Sequence, residues 1–317
     1  MKAVFCTSYG PPENLQLRDF DRPTPKPSEV LVKVHATAVN DYDWSMVQGK
    51  PYLYRLLFGL LKPRRPIPGM EVSGVVEAVG EKVTMFKVGN EVYGDISEYG
   101  FGSFAEYLSI HEKALVRKPD FLSHSEAAAV SHAGNLAWQG LIDIGELRSG
   151  MKILINGAGG GVGTMAFQIA KTYDVQVTGV DTGEKLKMMK ELGFDHIIDY
   201  KQEDFTRNGE RYDLILDART NRSPLAYMRA LNPEAKYVTV GGTPSKLIRL
   251  LIARMLGNKR VRIVALNANK DVTSLQELIK SGQLKPVLDG PFSLADTANA
   301  IRYFGEAKHS GKVIICP

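Results

Sequence analysis

Residues 152–163 read Lys152-Ile153-Leu154-Ile155-Asn156-Gly157-Ala158-Gly159-Gly160-Gly161-Val162-Gly163. The first five residues form a short apolar strand, and the glycine string that follows opens a helix predicted over 161–173. The spacing is Gly157-x-x-Gly160-x-x-Gly163. Glycines allow a tight turn and a close approach of backbone to phosphate, and the helix N-terminus adds free N–H groups and a positive dipole end. A glycine string alone could be a flexible turn. Its place between a strand and a helix gives it the dinucleotide reading, with Gly157, Gly160, Gly161, Val162 and Gly163 as the cradle.

Downstream, strands are predicted at 175–180, 196–199, 213–217, 237–240 and 261–266, with a helix at 184–192. This alternation predicts an α/β domain with a doubly wound parallel sheet. Asp181 ends the second strand, where a carboxylate meets ribose hydroxyls and favours NAD over NADP. Lys185 and Lys187 follow closely and could neutralise a 2′-phosphate, which favours the opposite choice.

Upstream the chain is β-rich. Residues 29–39 alternate apolar and polar, and strands are predicted at 72–79, 91–94 and 104–108. Prolines separate them, as in a partly open barrel. An alanine-rich helix is predicted over 125–140, helices at 272–282 and 296–306, and a closing strand at 312–316. The expected domains are therefore 1–120, completed by 267–317, and 121–266.

With 317 residues, 44% of them hydrophobic and 24% charged, the composition excludes a disordered or disulfide-scaffold chain. No run of apolar residues is long enough to span a bilayer, and Met1 to Cys6 lacks the apolar region of a secretory signal. Two cysteines, Cys6 and Cys316, fit a reducing, cytoplasmic setting. The net charge is +5, but eleven cations lie in two acid-free stretches, Lys50 to Arg65 and Ser245 to Arg262. The rest of the chain is net acidic, so this is not a general nucleic-acid binder. Both stretches carry leucines at helical spacing, Leu53, Leu56, Leu57, Leu60 and Leu61 in the first and Leu247, Leu250, Leu251 and Leu256 in the second. They are expected to form a leucine-lined entrance with a cationic rim. Ordinary surface helices and peripheral docking on anionic lipid are the other uses of such a pattern.

These features together resemble the medium-chain dehydrogenase/reductase superfamily, closest to its zinc-independent quinone-oxidoreductase branch. The loop NGAGGGVG, the segment AAAVSHAGNLAWQGL and the tail KSGQLKPVLDGPFSLADTANAIRYFGEAKHSGKVII carry the resemblance, which covers nearly the whole chain. It implies a GroES-like catalytic domain around a Rossmann domain. The implied activity is NAD(P)H-dependent hydride transfer to quinones or to the double bond of enones. An alcohol or aldehyde oxidoreductase and a non-catalytic nucleotide-binding regulator are the alternatives.

By the same resemblance Asn40 matches an active-site asparagine, and Tyr52 an active-site tyrosine acting as proton donor, with Tyr42 as its rival. Lys185 and Tyr200 match the pair that grips the 2′-phosphate, which tips the cofactor towards NADP(H) over NAD(H). Gly241, Gly242 and Asn267 match the nicotinamide side. Where zinc-bearing relatives have a cysteine and a GHE motif, this chain reads Val39-Asn40-Asp41-Tyr42-Asp43-Trp44 and Gly69-Met70-Glu71. Its six histidines show no metal-ligand spacing, so no zinc is expected. A small apolar electrophile is the expected substrate. The strand at 261–266 would leave an unprotected sheet edge, so a homodimer is expected.

Overall fold

The computed structural model describes residues 1–317, apart from the side chain of Leu57, which lies outside the description. The chain divides into two compact units, Met1–His132 with Ala268–Lys270 and Leu288–Pro317, and Ala133–Asn267 with Asp271–Val287.

The first unit is built on a mainly antiparallel sheet. Its long strand Glu29–Ala38 pairs antiparallel with Glu71–Val79, Tyr107–His111 and Lys312–Cys316. The alternation read from sequence is visible in burial: Val32 and Val34 are inside, Lys33 and His35 outside. Val30, Val72, Val76, Val92, Ile96 and Ile110 complete that core, and Val4, Val39, Phe104, Val313 and Ile315 form another. Each such side chain contributes about 1.5–3 kcal/mol on burial. The strand expected at 104–108 begins instead at Tyr107, because Phe104 and Ala105 bridge back to the first strand, Lys2–Cys6.

The second unit contains six parallel strands. From one edge to the other they are His196–Asp199, Gln176–Asp181, Lys152–Asn156, Tyr212–Asp217, Leu231–Thr239 and Val261–Ile263. Numbered along the chain, this is the order 3-2-1-4-5-6 of the Rossmann sheet, so the expected α/β architecture is present. The order reverses beside Lys152–Asn156, and the glycine loop leaves the carboxyl end of that strand at the switch point.

The units differ in extent from the expected domains. Residues 121–132 belong with the first unit and 271–287 with the second. Amide side chains tie the latter segment down. Asn135 Oδ1 accepts from the Asp271 N–H at 2.9 Å, Gln139 Nε2 donates to Asp271 Oδ2 at 2.7 Å, and Gln168 Oε1 accepts from the Lys285 N–H at 2.8 Å. The edge strand is only Val261–Ile263, half the expected length. Of the basic stretches, the first holds a short helix, Tyr54–Phe58, and the second the longer helix Pro244–Met255.

Candidate active site and nucleotide cradle

In the second unit, the loop is fixed by backbone bonds to the neighbouring strand. Gly157 N–H and Ala158 N–H both donate to the Val180 carbonyl, at 2.9 and 3.1 Å. Gly157 sits at φ +84°, a conformation that favours glycine. A Cβ on Gly163 would lie 2.3 Å from the Gly157 carbonyl oxygen, so only glycine lets the helix Gly161–Ala170 pack this closely. A Cβ on Gly160 would meet nothing nearer than 3.6 Å, so the loop is open there. The two glycines thus serve packing and access respectively, and the cradle fits a dinucleotide pyrophosphate.

Asp181, Lys185 and Tyr200 are gathered at the side of this loop. Asp181 Oδ2 accepts from the Gly159 N–H at 2.9 Å, and Lys185 Nζ lies 3.8 Å from Asp181 Oδ1. Both side chains are buried. The Lys185 stem lies over Gly159, where a Cβ would meet it at 2.7 Å. Tyr200 N–H donates to the Asp181 carbonyl at 3.1 Å, leaving the ring exposed. Asp181 is therefore a strut of the loop, and Lys185 neutralises it. Gly241 follows the strand Leu231–Thr239 with open space where a Cβ would stand. Thr220 Oγ1 and Thr239 Oγ1 donate to the Gly241 carbonyl, and Gly242 lies against Thr220. Asn267 is exposed and held through its backbone, by two bonds with the Gln139 amide at 3.0 and 2.9 Å.

In the first unit, Asn40 precedes the helix Asp41–Gln48 and is buried. Its Nδ2 donates to Glu71 Oε2 at 2.8 Å and to the Ala38 carbonyl at 3.3 Å, and its Oδ1 accepts from Lys312 Nζ. Lys312 also pairs with Glu71. The other Glu71 oxygen accepts the His132 N–H at 2.6 Å, and His132 Nδ1 meets Asp95 Oδ2 at 2.7 Å. Burial opposes a charged His132, yet the Asp95 carboxylate holds its pKa above the usual histidine value. Asp43, three residues after Asn40, accepts the Asn40 and Gly69 N–H groups at 2.9 Å each. Complete burial pushes the Asp43 carboxyl up to about 7, against the pull of those two bonds.

The Asn40 amide is thus spent on the protein, and its role in this arrangement is to hold Lys312 and Glu71 in place. The two candidate donor tyrosines, Tyr42 and Tyr52, are both exposed, at 45% and 67%. Tyr42 stacks with Tyr54, and Tyr52 lies under the Arg55 guanidinium. Sequence reading had no hold on Lys312, His132 or Asp95. Only the Asn40-x-x-Asp43 spacing, a capping-box pattern, and Glu71 in the GHE-like triplet gave any signal. Among the described residues no three His, Cys, Asp or Glu side chains converge as metal ligands, and no helix is long and apolar enough to cross a membrane.

Two family descriptions match the chain: the alcohol dehydrogenase GroES-like domain over residues 26–120 and the zinc-binding dehydrogenase over residues 192–315. A 2-methylene-furan-3-one reductase from Solanum lycopersicum is 33% identical over 328 residues, covering 100% of this chain and 79% of the relative. The NADPH-dependent alkenal/one oxidoreductase, chloroplastic, of Arabidopsis thaliana is also 33% identical, covering 100% of this chain and 80% of that protein. Among solved structures, the quinone oxidoreductase from Coxiella burnetii superposes with a TM-score of 0.88 at 25% identity, covering 100% of this chain and 99% of that one. The chain belongs to the medium-chain dehydrogenase/reductase superfamily, in its quinone-oxidoreductase-like branch, and is an oxidoreductase.

Proposed function

We propose that the chain is an NAD(P)H-dependent reductase of quinones and α,β-unsaturated carbonyls that works without zinc and favours NADP(H) over NAD(H). The observation that carries this reading is the Lys312 ammonium, buried against Asn40 and Glu71 in the stretch that resembles the zinc locus of metal-bearing relatives. Asn40, Met70 and Glu71 are a poor zinc set, and Glu71 is already neutralised by Lys312. A zinc ion does not fit there without breaking a buried ion pair.

Enone and quinone reduction suits such a site. When bound, NAD(P)H supplies the hydride. The glycine loop holds the pyrophosphate, while Gly241, Gly242 and Asn267 attend the nicotinamide end. Charge that develops on the substrate oxygen needs hydrogen-bond donors and a proton rather than a Lewis acid. Tyr52 is the proposed proton donor, with Tyr42 its rival. The reductase names of the relatives support the same chemistry, and one of them is named as NADPH-dependent. Two free thiols, Cys6 and Cys316, suit a cytoplasmic setting. We infer a homodimer paired along the edge strand Val261–Ile263. A monomer by light scattering at micromolar concentration would remove that part.

The test is NADPH consumption with 2-alkenals and quinones, before and after dialysis against a chelator. Turnover unchanged by the chelator is expected. Activity that is lost and then restored by zinc would instead support alcohol or aldehyde oxidation. NADPH binding without oxidation by any acceptor would favour a non-catalytic regulator.

A further inference from the structure

We propose that the physiological substrate carries a carboxylate beside its conjugated carbonyl, and that Arg64 and Arg65 bind it. This rests on the reductase reading and names the substrate class for it. The first unit contains a cavity of about 340 Å³ lined by Met46, Phe58, Phe101, Arg64 and Arg65. Two of its lining side chains, Phe58 and Phe101, are aromatic, and from Phe58 a chain of ring contacts runs on outside the lining to Tyr54 and Tyr42. Phe58 meets Phe101 edge-on at 5.9 Å, Tyr54 meets Phe58 at 6.0 Å, and Tyr42 stacks on Tyr54 at 6.5 Å. Met46 lies on the helix that begins just after Asn40. A planar conjugated molecule matches these walls.

The two arginines have no counter-charge in the cavity. No acid lies between Lys50 and Arg65, and neither guanidinium makes an ion pair among the described residues. Arg55, by contrast, is used locally: its Nε donates to the Gly49 carbonyl at 2.9 Å and its guanidinium covers Tyr9 and Tyr52.

Both arginines are exposed to solvent, and two features nevertheless hold them at the cavity. Pro63 and Pro66 bracket the pair and restrict the backbone, and Arg64 N–H donates to the Phe58 carbonyl at 2.6 Å. Room is also kept for Arg65, since a Cβ on Gly100 would stand 2.8 Å from its Nη1. Adjacent like charges beside apolar walls repel, and an anion between them relieves that repulsion. The planar guanidinium fork matches a carboxylate in particular.

The probes are 4-oxo-4-phenylbutanoate and its uncharged methyl ester, titrated calorimetrically into the full chain with and without NADP+. The acid is expected to bind at least tenfold more tightly than the ester. In the double variant Arg64→Ala/Arg65→Ala that preference should fall below twofold, while Arg64→Lys/Arg65→Lys should keep part of it. Gly100→Val, which crowds Arg65 without removing it, should also reduce it. Equal affinity for acid and ester under both conditions, or a preference that survives the double alanine variant, overturns the proposal. Turnover of 4-oxo-4-phenylbut-2-enoate and its ester is measured separately. If the acid is preferred in binding but neither compound is reduced, the anion site stands and the reductase reading fails. Reduction of both with no preference in binding does the reverse.

Discussion

The glycine loop and the buried cluster around Glu71 are assembled in opposite ways. The loop is local: eight successive residues, 156–163, join one strand to one helix, and their conformation follows from glycine spacing. The cluster draws on residues 40, 43, 71, 95, 132 and 312, which the antiparallel sheet and the helix His124–Trp138 bring together. A local motif tolerates much change elsewhere in the chain but little within itself. A distributed cluster depends on every strand that delivers a member, and losing one member strands the others as buried charges.

The largest effect should therefore come from the cluster. Lys312→Met removes the cation from Glu71 and leaves a fully buried carboxylate with only neutral donors. Breaking a buried pair in this way costs about 3–5 kcal/mol. The double variant Lys312→Met/Glu71→Gln should recover much of that loss, because no unpaired charge remains. Chemical denaturation of the three proteins measures it. A single variant as stable as the parent would mean that the pair contributes nothing.

Next come the two glycines. Gly163→Val would drive a Cβ into the Gly157 carbonyl and should destabilise the second unit by about 3 kcal/mol. Gly160→Val faces open space and should leave the melting temperature nearly unchanged. It should nevertheless weaken NADPH about 100-fold, or about 2.7 kcal/mol, by blocking the approach of phosphate. Calorimetric titration separates the two outcomes. Unchanged affinity in Gly160→Val would give the loop another role.

This contrast also explains what was legible beforehand. The strands 152–156, 196–199 and 312–316 agree with expectation, because short apolar runs between turn signals read directly. The hairpin Lys2–Cys6 with Leu15–Asp19 was not legible. Its second strand is exposed at four of five residues and carries little hydrophobic pattern. Residues 52–65 carry a leucine stripe, yet only Tyr54–Phe58 is helical, since Pro51 and Pro63 bound the stretch and Gly59 ends the helix. Lys312 and Asp95 could not have been assigned to Asn40 from spacing at all. Their proximity exists only once the strands have paired.

Cofactor choice tests the loop on a smaller scale. Asp181→Ser should shift the NADPH/NADH ratio of kcat/KM towards NADPH by about tenfold, or 1.4 kcal/mol, by removing a charge that repels the 2′-phosphate. Because Asp181 also holds the Gly159 N–H, affinity for both cofactors should fall. Lys185→Ala should move the ratio the other way. If neither substitution moves it, the adenosine end lies elsewhere.

The smallest effect concerns pH and again belongs to the cluster. Burial lifts the Asp43 carboxyl from its ordinary value of 3.8 to about 7 in the folded chain. Between those values the folded protein holds a proton that the unfolded chain has released. Stability from this group is therefore complete below pH 4 and is lost as pH rises through 7. The raised His132 acts in the same direction, since its extra proton is also bound only in the folded state. Asp43 should cost about 1 kcal/mol between pH 6 and pH 8, seen as a falling melting temperature. Asp43→Asn cannot ionise and should flatten that slope, although it loses one of the two N–H acceptors and starts from a lower stability. A parent protein whose stability rises from pH 6 to pH 8 would show Asp43 to be ionised in the fold, held by the Asn40 and Gly69 N–H groups despite its burial.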